Sequence, residues 1–250
     1  MNLTGAEVLK LVRRRGLMIW VAVLTLGSVL VPYAVLVALH AAAPERHGPA
    51  GGGENPLQVL GLLAMIGGVG GILIAATAGS QDHSSGVFRD LVVTGRPRTA
   101  LFLARVRGAL AVYLPLVAVA FALAVAASFA FAGGEPSLLR GHVPGYAAWV
   151  AATAVLNVVL GVSLATIVSS RISIAVLIAW NTAVAPLLLQ LRDLGGIRAA
   201  VGSSAAQHFV PAGPATVQVA MSTATALLVL ALWTAIPLVL AARATTRRDA

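Results

Sequence analysis

Cysteine is absent from this chain. That excludes a disulfide scaffold, a thiolate metal centre and a cysteine nucleophile. Charge is scarce as well: Asp, Glu, Lys and Arg together make up 10% of the residues, and lysine occurs once, at Lys10. A soluble domain carries about 25% charged residues. No G-x-x-x-x-G-K-[ST] segment occurs, so the chain has no phosphate-cradling loop of its own for ATP. Histidine is missing from every long apolar run: His40, His47, His83, His142 and His208 all fall in or beside loops. Gly161-Val162-Ser163 therefore has no imidazole partner for a serine nucleophile, and the histidines lack the paired spacing of a metal site.

What the chain has in excess is apolar surface. Hydrophobic residues are 59% of it and the mean hydropathy is +0.93. A soluble fold of 250 residues cannot hide that much, so the class is all-α integral membrane protein, a single transmembrane domain over 1–250. Six runs are long enough to span, Leu17–Leu39, Pro56–Ala78, Gly108–Phe131, Gly145–Val168, Ser173–Leu191 and Val217–Ala241, and none contains Asp, Glu, Lys, Arg or His. A charge at mid-bilayer costs about 2.5–3.5 kcal/mol on insertion scales, so these charge-free gaps are themselves a signal. Thirteen basic residues fall at the termini and in the connections 2–3 and 4–5; four, Arg46, Arg140, Arg192 and Arg198, fall in the other connections. The positive-inside rule then predicts a cell-membrane protein with both termini cytoplasmic. The net charge of +9 is read as orientation in the bilayer, not as nucleic-acid binding. The preference for Arg, Ala, Gly and Val suits a GC-rich bacterial genome.

Thr4-Gly5-Ala6-Glu7 fits a capping box, with Thr4 as N-cap, and predicts a short amphipathic helix on the cytoplasmic leaflet before the first span. The first outer loop, Ala43 to Asn55, carries Pro44, Pro49 and Gly51-Gly52-Gly53 and reads as flexible. In the third, Ile197 to Phe209 is mildly apolar and too short to cross; it can dip into the outer leaflet or pack on the bundle mouth. Gly67 and Gly71 read as a small-x-x-x-small packing face. Trp20, Trp149 and Tyr146 fit interface anchoring and Trp180 and Trp233 deeper packing. Polar groups inside the spans are Asn157, Thr166, Asn181, Thr182, Gln190, Thr223 and Thr225. Asn181 and Thr182 precede Pro186, which should kink the fifth span. These two either face a transport route or bond neighbouring helices.

The connection from Gly79 to Arg98 is polar but carries helix signals. Asp82 or Ser84 can cap a helix running through Val93, Gly95 can stop it, and Pro97 forbids continuation. Val87, Phe88, Leu91 and Val92 form one apolar face, with Arg89 and Asp90 elsewhere. Such a helix can dock in a groove of another protein, or rest on its own bundle or on lipid.

Six spans, a leading amphipathic helix and the pattern Asp82, Gly86, Arg89, Leu91, then Gly95-Arg96-Pro97-Arg98 before Leu101-Phe102-Leu103-Ala104-Arg105 resemble the ABC-2 type transporter permeases. The resemblance covers the chain by span count and order, and Asp82–Arg107 by residue pattern. It departs at Gly95-Arg96-Pro97, where many relatives have a small residue and proline. It implies the transmembrane half of an ATP-driven transporter, usually an exporter, without catalytic activity or bound cofactor of its own. The ATP and Mg²⁺ would sit on a separate ATP-binding subunit, and a second permease copy or a sister permease would complete the pathway as a dimer in the lipid. Asp82, Gly86, Val87, Phe88, Arg89, Asp90 and Leu91 would form the coupling helix against the ATPase, and spans two and five would line the route. An apolar route suits a hydrophobic or amphipathic substrate such as a drug, a lipid-like molecule or a peptide. The alternatives are a secondary carrier, against whose proton-coupled form the lack of in-span ionisable residues counts, and a membrane scaffold or immunity protein that transports nothing.

Overall fold

A computed structural model describes residues 3–84, 97–134, 137, 139, 141–210 and 219–247, with the backbone alone for 81–84. Six helices are long and apolar enough to cross a membrane: spans 1 to 6 are Arg15–Ala42, Asn55–Ser80, Arg98–Ala130, Val143–Ile167, Ser170–Gln190 and Thr223–Arg247. The described residues otherwise form short helices and loops, with one isolated β-bridge between Gly53 and Ser137. The chain is a helical multi-pass membrane protein.

Spans 2 and 4 are the centre of the bundle. In each, 61% of the most apolar stretch is buried inside the protein, against 11% in span 6. Small residues let these two helices approach. A Cβ at Gly161 would come within 2.6 Å of Ala75 Cβ, and one at Gly79 within 2.5 Å of the Val162 carbonyl oxygen. Gly68, Ala75 and Gly79 thus face Asn157, Gly161 and Ala165 along one seam. Gly161 and Ser163 belong to this packing: Ser163 is fully buried beside the seam glycine.

The predicted glycine face is real but points elsewhere. Gly67 and Gly70 approach Thr25, Ser28 and Val21 of span 1, while Gly71 lies against the ring of Tyr113 on span 3. With Gly68 against Asn157 of span 4 and Asn181 of span 5, the run Gly67-Gly68-Val69-Gly70-Gly71 serves four neighbours at once. Span 2 can be central because its middle has almost no side chains.

Both ends of the bundle are tied. At the basic end, where the termini lie, a leading helix, Leu3–Val12, packs against the start of span 3. It begins one residue before Thr4, so Thr4 lies in its first turn, and Glu7 pairs with Lys10 at 2.8 Å. A Cβ on Gly108 would come within 2.6 Å of Glu7 Cβ, so glycine there admits the leading helix. Leu11 is buried, while Leu9 and Val12 are exposed. Span 3 starts ten residues earlier than the apolar run suggests, because Arg98, Arg105 and Arg107 ride on its helical extension. Arg105, expected in a loop, is wholly buried. Arg98 Nη1 donates to the Thr246 carbonyl at 3.1 Å and closes the end of span 6 onto the start of span 3. That span begins and ends six residues later than predicted: Ser222 Oγ accepts from Thr225 N at 3.1 Å and starts the helix, which carries Arg243 and Arg247 at its basic end.

At the opposite, loop end the first loop is not the flexible linker its glycines suggest. Ala50, Gly51 and Gly52 are buried. Gly51 N–H donates to the Phe131 carbonyl at 2.9 Å, and a Cβ on Gly51 would collide with the Ser128 carbonyl. Ser128 and Ser137 hydroxyls bond each other, and Tyr33 Oη donates to the Ala124 carbonyl at 3.0 Å. Gly51 permits close approach, while Gly53 takes a positive φ of 53° with nothing near its Cβ position.

Candidate functional site

Two spans are not continuous α-helices. Span 2 widens to a π-turn at Leu63–Gly67 and span 5 to another at Trp180–Val184. The second stands immediately before Pro186, whose missing N–H breaks the regular ladder; Ala185 N–H bonds back to the Trp180 carbonyl instead. A π-turn leaves carbonyls that the neighbouring α-helix does not satisfy, and in a membrane these need partners. Other spans supply them. Tyr113 Oη of span 3 donates to the Gly67 carbonyl at 2.6 Å, and Asn181 Nδ2 of span 5 donates to the Met65 carbonyl at 3.4 Å.

The two π-turns therefore face each other, and Asn181 joins them. Asn157 of span 4 comes to the same place: a Cβ on Gly68 would lie 2.5 Å from Asn157 Nδ2 and 3.1 Å from Asn181 Nδ2. Gly68 is what lets two amides meet here. Asn157 is 8% exposed and its Nδ2 has no hydrogen-bond partner. It borders a void of about 10 Å³ beside Tyr113 and Thr153.

Asn181 also lines a cleft of about 310 Å³ between spans 2, 4 and 5, whose lining does not include Asn157. Gln58, Thr153, Asn181, Gln190, Ser203 and Gln207 supply its polar groups, and none of its fifteen lining residues is ionisable. The remainder of the wall is apolar and includes Trp149 and Met65. Gln58 and Gln190 are exposed at the loop end. The size is near the lower limit for small-molecule pockets, about 300–1,000 Å³.

One wall comes from the connection between spans 5 and 6. After span 5 the chain makes a 3₁₀ segment, Arg192–Ala200, then a short helix, Gly202–Gln207. His208 Nε2 lies 3.0 Å from Thr223 Oγ1 at the head of span 6, while Trp233 Nε1, ten residues further along that span, donates to the Ala200 carbonyl at 2.7 Å. The short helix therefore descends about 9 Å into the bundle, at 1.5 Å per residue. Gly202 sits against the Trp233 ring and Trp180 packs on its other flank, ring centroids 5.5 Å apart. Arg198 Nη1 donates to the Leu189 carbonyl at the end of span 5. The short helix is largely buried in the protein, while most of Arg192–Ala200 is exposed. It presents Ser203 and Gln207 to the cleft, and the Ser203 hydroxyl is buried without a partner.

No family model, curated protein or solved structure matches this chain. The reading of the site rests on its own residues.

Of the residues singled out from sequence, Asn181 lines the cleft and Thr182 does not. Thr182 is exposed on the outside of span 5 and its hydroxyl bonds the Ile178 carbonyl of its own helix. The π-turn, one residue wider than α, does not bring both to one face. Trp149 and Tyr146, expected as interface anchors, are buried instead, and Trp149 becomes cleft wall. Trp20 is 63% exposed, as an anchor would be. Gly86, Val87, Phe88, Arg89, Asp90 and Leu91 lie outside the described residues. At Asp82 the backbone is helical and continues span 2 through Ser84, so Asp82 does not start a new helix. Gln58, Thr153, Ser203 and Gln207 were not singled out from sequence. Among the described residues no three His, Asp or Glu side chains gather as a metal site would require.

Proposed function

We propose that this chain is the membrane-spanning permease subunit of an ATP-driven exporter of the ABC-2 type. It lies in the cell membrane with both termini cytoplasmic, works with a separate ATP-binding subunit, and pairs with a second permease copy or a sister permease. The observation that carries the proposal is the Asp82–Arg107 pattern placed between spans 2 and 3 of a six-span bundle. Three structural features support it. Span 2 runs on as helix to Ser84 and span 3 starts as early as Arg98, so the pattern joins two helical extensions at the basic end. The leading helix packs on the same extension of span 3. Span 2, which enters the pattern directly, also forms a wall of the cleft.

The mechanism follows from that connectivity. ATP binding and hydrolysis on the partner push on Gly86 to Val93, and the push passes up span 2. Helix geometry is least regular at Leu63–Gly67, where two carbonyls are held by side chains from spans 3 and 5. A shift there changes the cleft wall without breaking the tight Gly79–Val162 and Gly161–Ala75 seam. A hydrophobic or amphipathic substrate in the cleft would be carried to the loop end.

The test is co-purification of the chain with its candidate ATPase, reading ATP hydrolysis with wild type and with Phe88→Asp. A stable complex whose turnover the substitution abolishes is expected. Retained complex and turnover in Phe88→Asp would remove the docking surface, and no association with any ATPase would remove the ABC reading.

A further inference from the structure

Asn157 of span 4 is a polar group that its protein neighbours leave unmet. Its Nδ2 is buried and finds no acceptor in the protein. A buried amide N–H in that position has given up water and received nothing in return, which costs free energy. Gly68 makes room for the amide, since a Cβ there would come within 2.5 Å of Nδ2, but does not bond it.

The space beside this amide has the size and the lining of a water site. The void of about 10 Å³ is bordered by nine residues, of which Tyr113, Thr153 and Asn157 are polar. A buried water needs a void of about 10–15 Å³ and two to four polar partners. The volume admits one such molecule and no substrate end. The donors and acceptors then select its chemistry. Tyr113 Oη already gives its hydrogen to the Gly67 carbonyl at 2.6 Å, so toward the void it can only accept. Asn157 Nδ2 can only donate, and the Thr153 hydroxyl can do either. A cation would face the hydrogens of the amide, and an anion would find no counter-charge. A water satisfies the set, because it accepts from Asn157 and donates to the two hydroxyls. It also has a way in: Ala64 and Thr153 line both the void and the cleft of about 310 Å³, so the two spaces share these side chains as a wall.

We infer that the void holds one ordered water, bonded to Asn157, Tyr113 and Thr153, which enters from the cleft past Thr153. It ties span 4 to span 3 beside the widened turn of span 2, where direct side-chain bonds reach only the Met65 and Gly67 carbonyls. The site belongs to this chain alone and holds or fails whether or not an ATPase is its partner.

X-ray radiolysis of the full chain in lipid nanodiscs, read by mass spectrometry, tests it. X-rays make hydroxyl radicals from bound water as well as from bulk water, so a buried side chain beside an ordered water is oxidised in place. Radicals generated only in bulk solvent reach exposed side chains. Tyr113 is 1% exposed, while His47 in the first loop is exposed and serves as the reference. Relative to His47, Tyr113 should be oxidised severalfold faster by X-rays than by bulk radicals. Asn157→Leu keeps a similar volume and leaves the void without its donor, and it should abolish this excess, since apolar voids stay dry. Thr153→Val removes one acceptor at a half-buried position, where folding is least at risk, and should reduce the excess. Thermal melts establish that both variants are folded. No excess in wild type, or an undiminished excess in either folded variant, would overturn the inference.

Discussion

Adding one methyl group at Gly79 should do more harm than its size suggests. The new Cβ would lie 2.5 Å from the Val162 carbonyl oxygen and 3.0 Å from Ala165 Cβ. Carbon contacts are favourable near about 3.5–4.0 Å, so spans 2 and 4 must part by about 1 Å. The obstacle is backbone, which cannot turn aside as a side-chain tip can. Opening a seam by that much forfeits a quarter to a half of the dispersion energy across it, and overpacking of this kind costs about 1–3 kcal/mol. Against this, alanine is better than glycine inside a helix by about 0.8 kcal/mol. The net is a loss of about 1 kcal/mol, and more if the seam opens as a unit. Gly27→Ala in span 1 is the internal control: nothing lies within 4 Å of its added Cβ, so only the propensity gain remains. The two variants should therefore differ by about 2 kcal/mol. At roughly 2–4 °C per kcal/mol for a domain of this size, their melting midpoints should separate by about 4–8 °C, with Gly27→Ala at or above wild type. The assay is a thermal melt of purified protein in one detergent, followed by tryptophan fluorescence. Equal midpoints, or Gly79→Ala the more stable, would refute the claim that spans 2 and 4 meet through glycine.

Tyr113→Phe removes the donor to the Gly67 carbonyl and should cost about 0.6–1.7 kcal/mol, the range for interhelical bonds in membranes; a melt unchanged within error would show that this carbonyl is satisfied otherwise. Trp233→Phe takes away the bond to Ala200, so hydrogen exchange at 200–207 should speed up while that of span 4 stays unaltered; unchanged exchange would mean this segment is held by Gly202 and Arg198 alone. The cysteine-free background allows single thiols to report topology: Ser84→Cys should react with an impermeant maleimide only after the membrane is opened, and labelling in intact cells would reverse the orientation.

The helical class and the six spans were legible because they depend on one quantity, the length of charge-free apolar sequence. The same quantity misplaced the ends wherever a helix outlasts the hydrocarbon. Span 3 begins at Arg98 because a helix can carry Arg105 and Arg107 beyond the apolar region, and span 6 begins at Thr223 because the Ser222 hydroxyl caps it there, although Val217–Met221 carries no charge. The first loop was misread for a different reason. Gly51-Gly52-Gly53 has the composition of a linker, yet composition does not say whether glycine is chosen for freedom or for closeness. Only the Ser128 carbonyl, where a Cβ on Gly51 would stand, decides it.

The cleft was half legible, and the half that was missed shows what kind of signal would have found it. Asn181 drew notice by standing before Pro186, a local feature, but its neighbour Thr182 was taken with it because nothing in a sequence announces a π-turn. Span 4 held the better clue. Trp149, Thr153, Asn157 and Gly161 recur every four residues and so lie along one helical row. Gly161 must face another helix closely, since a Cβ there would meet Ala75 at 2.6 Å. Whatever shares its row faces the same helix. A threonine and an asparagine on the row of a contact glycine cannot both be lipid-facing, and their hydrogen-bonding groups must be met inside the protein. Asn157 turns toward Gly68 at the π-turn of span 2, where Asn181 Nδ2 of span 5 donates to the Met65 carbonyl. The part left over is Asn157 Nδ2, buried against Gly68 with no partner of its own.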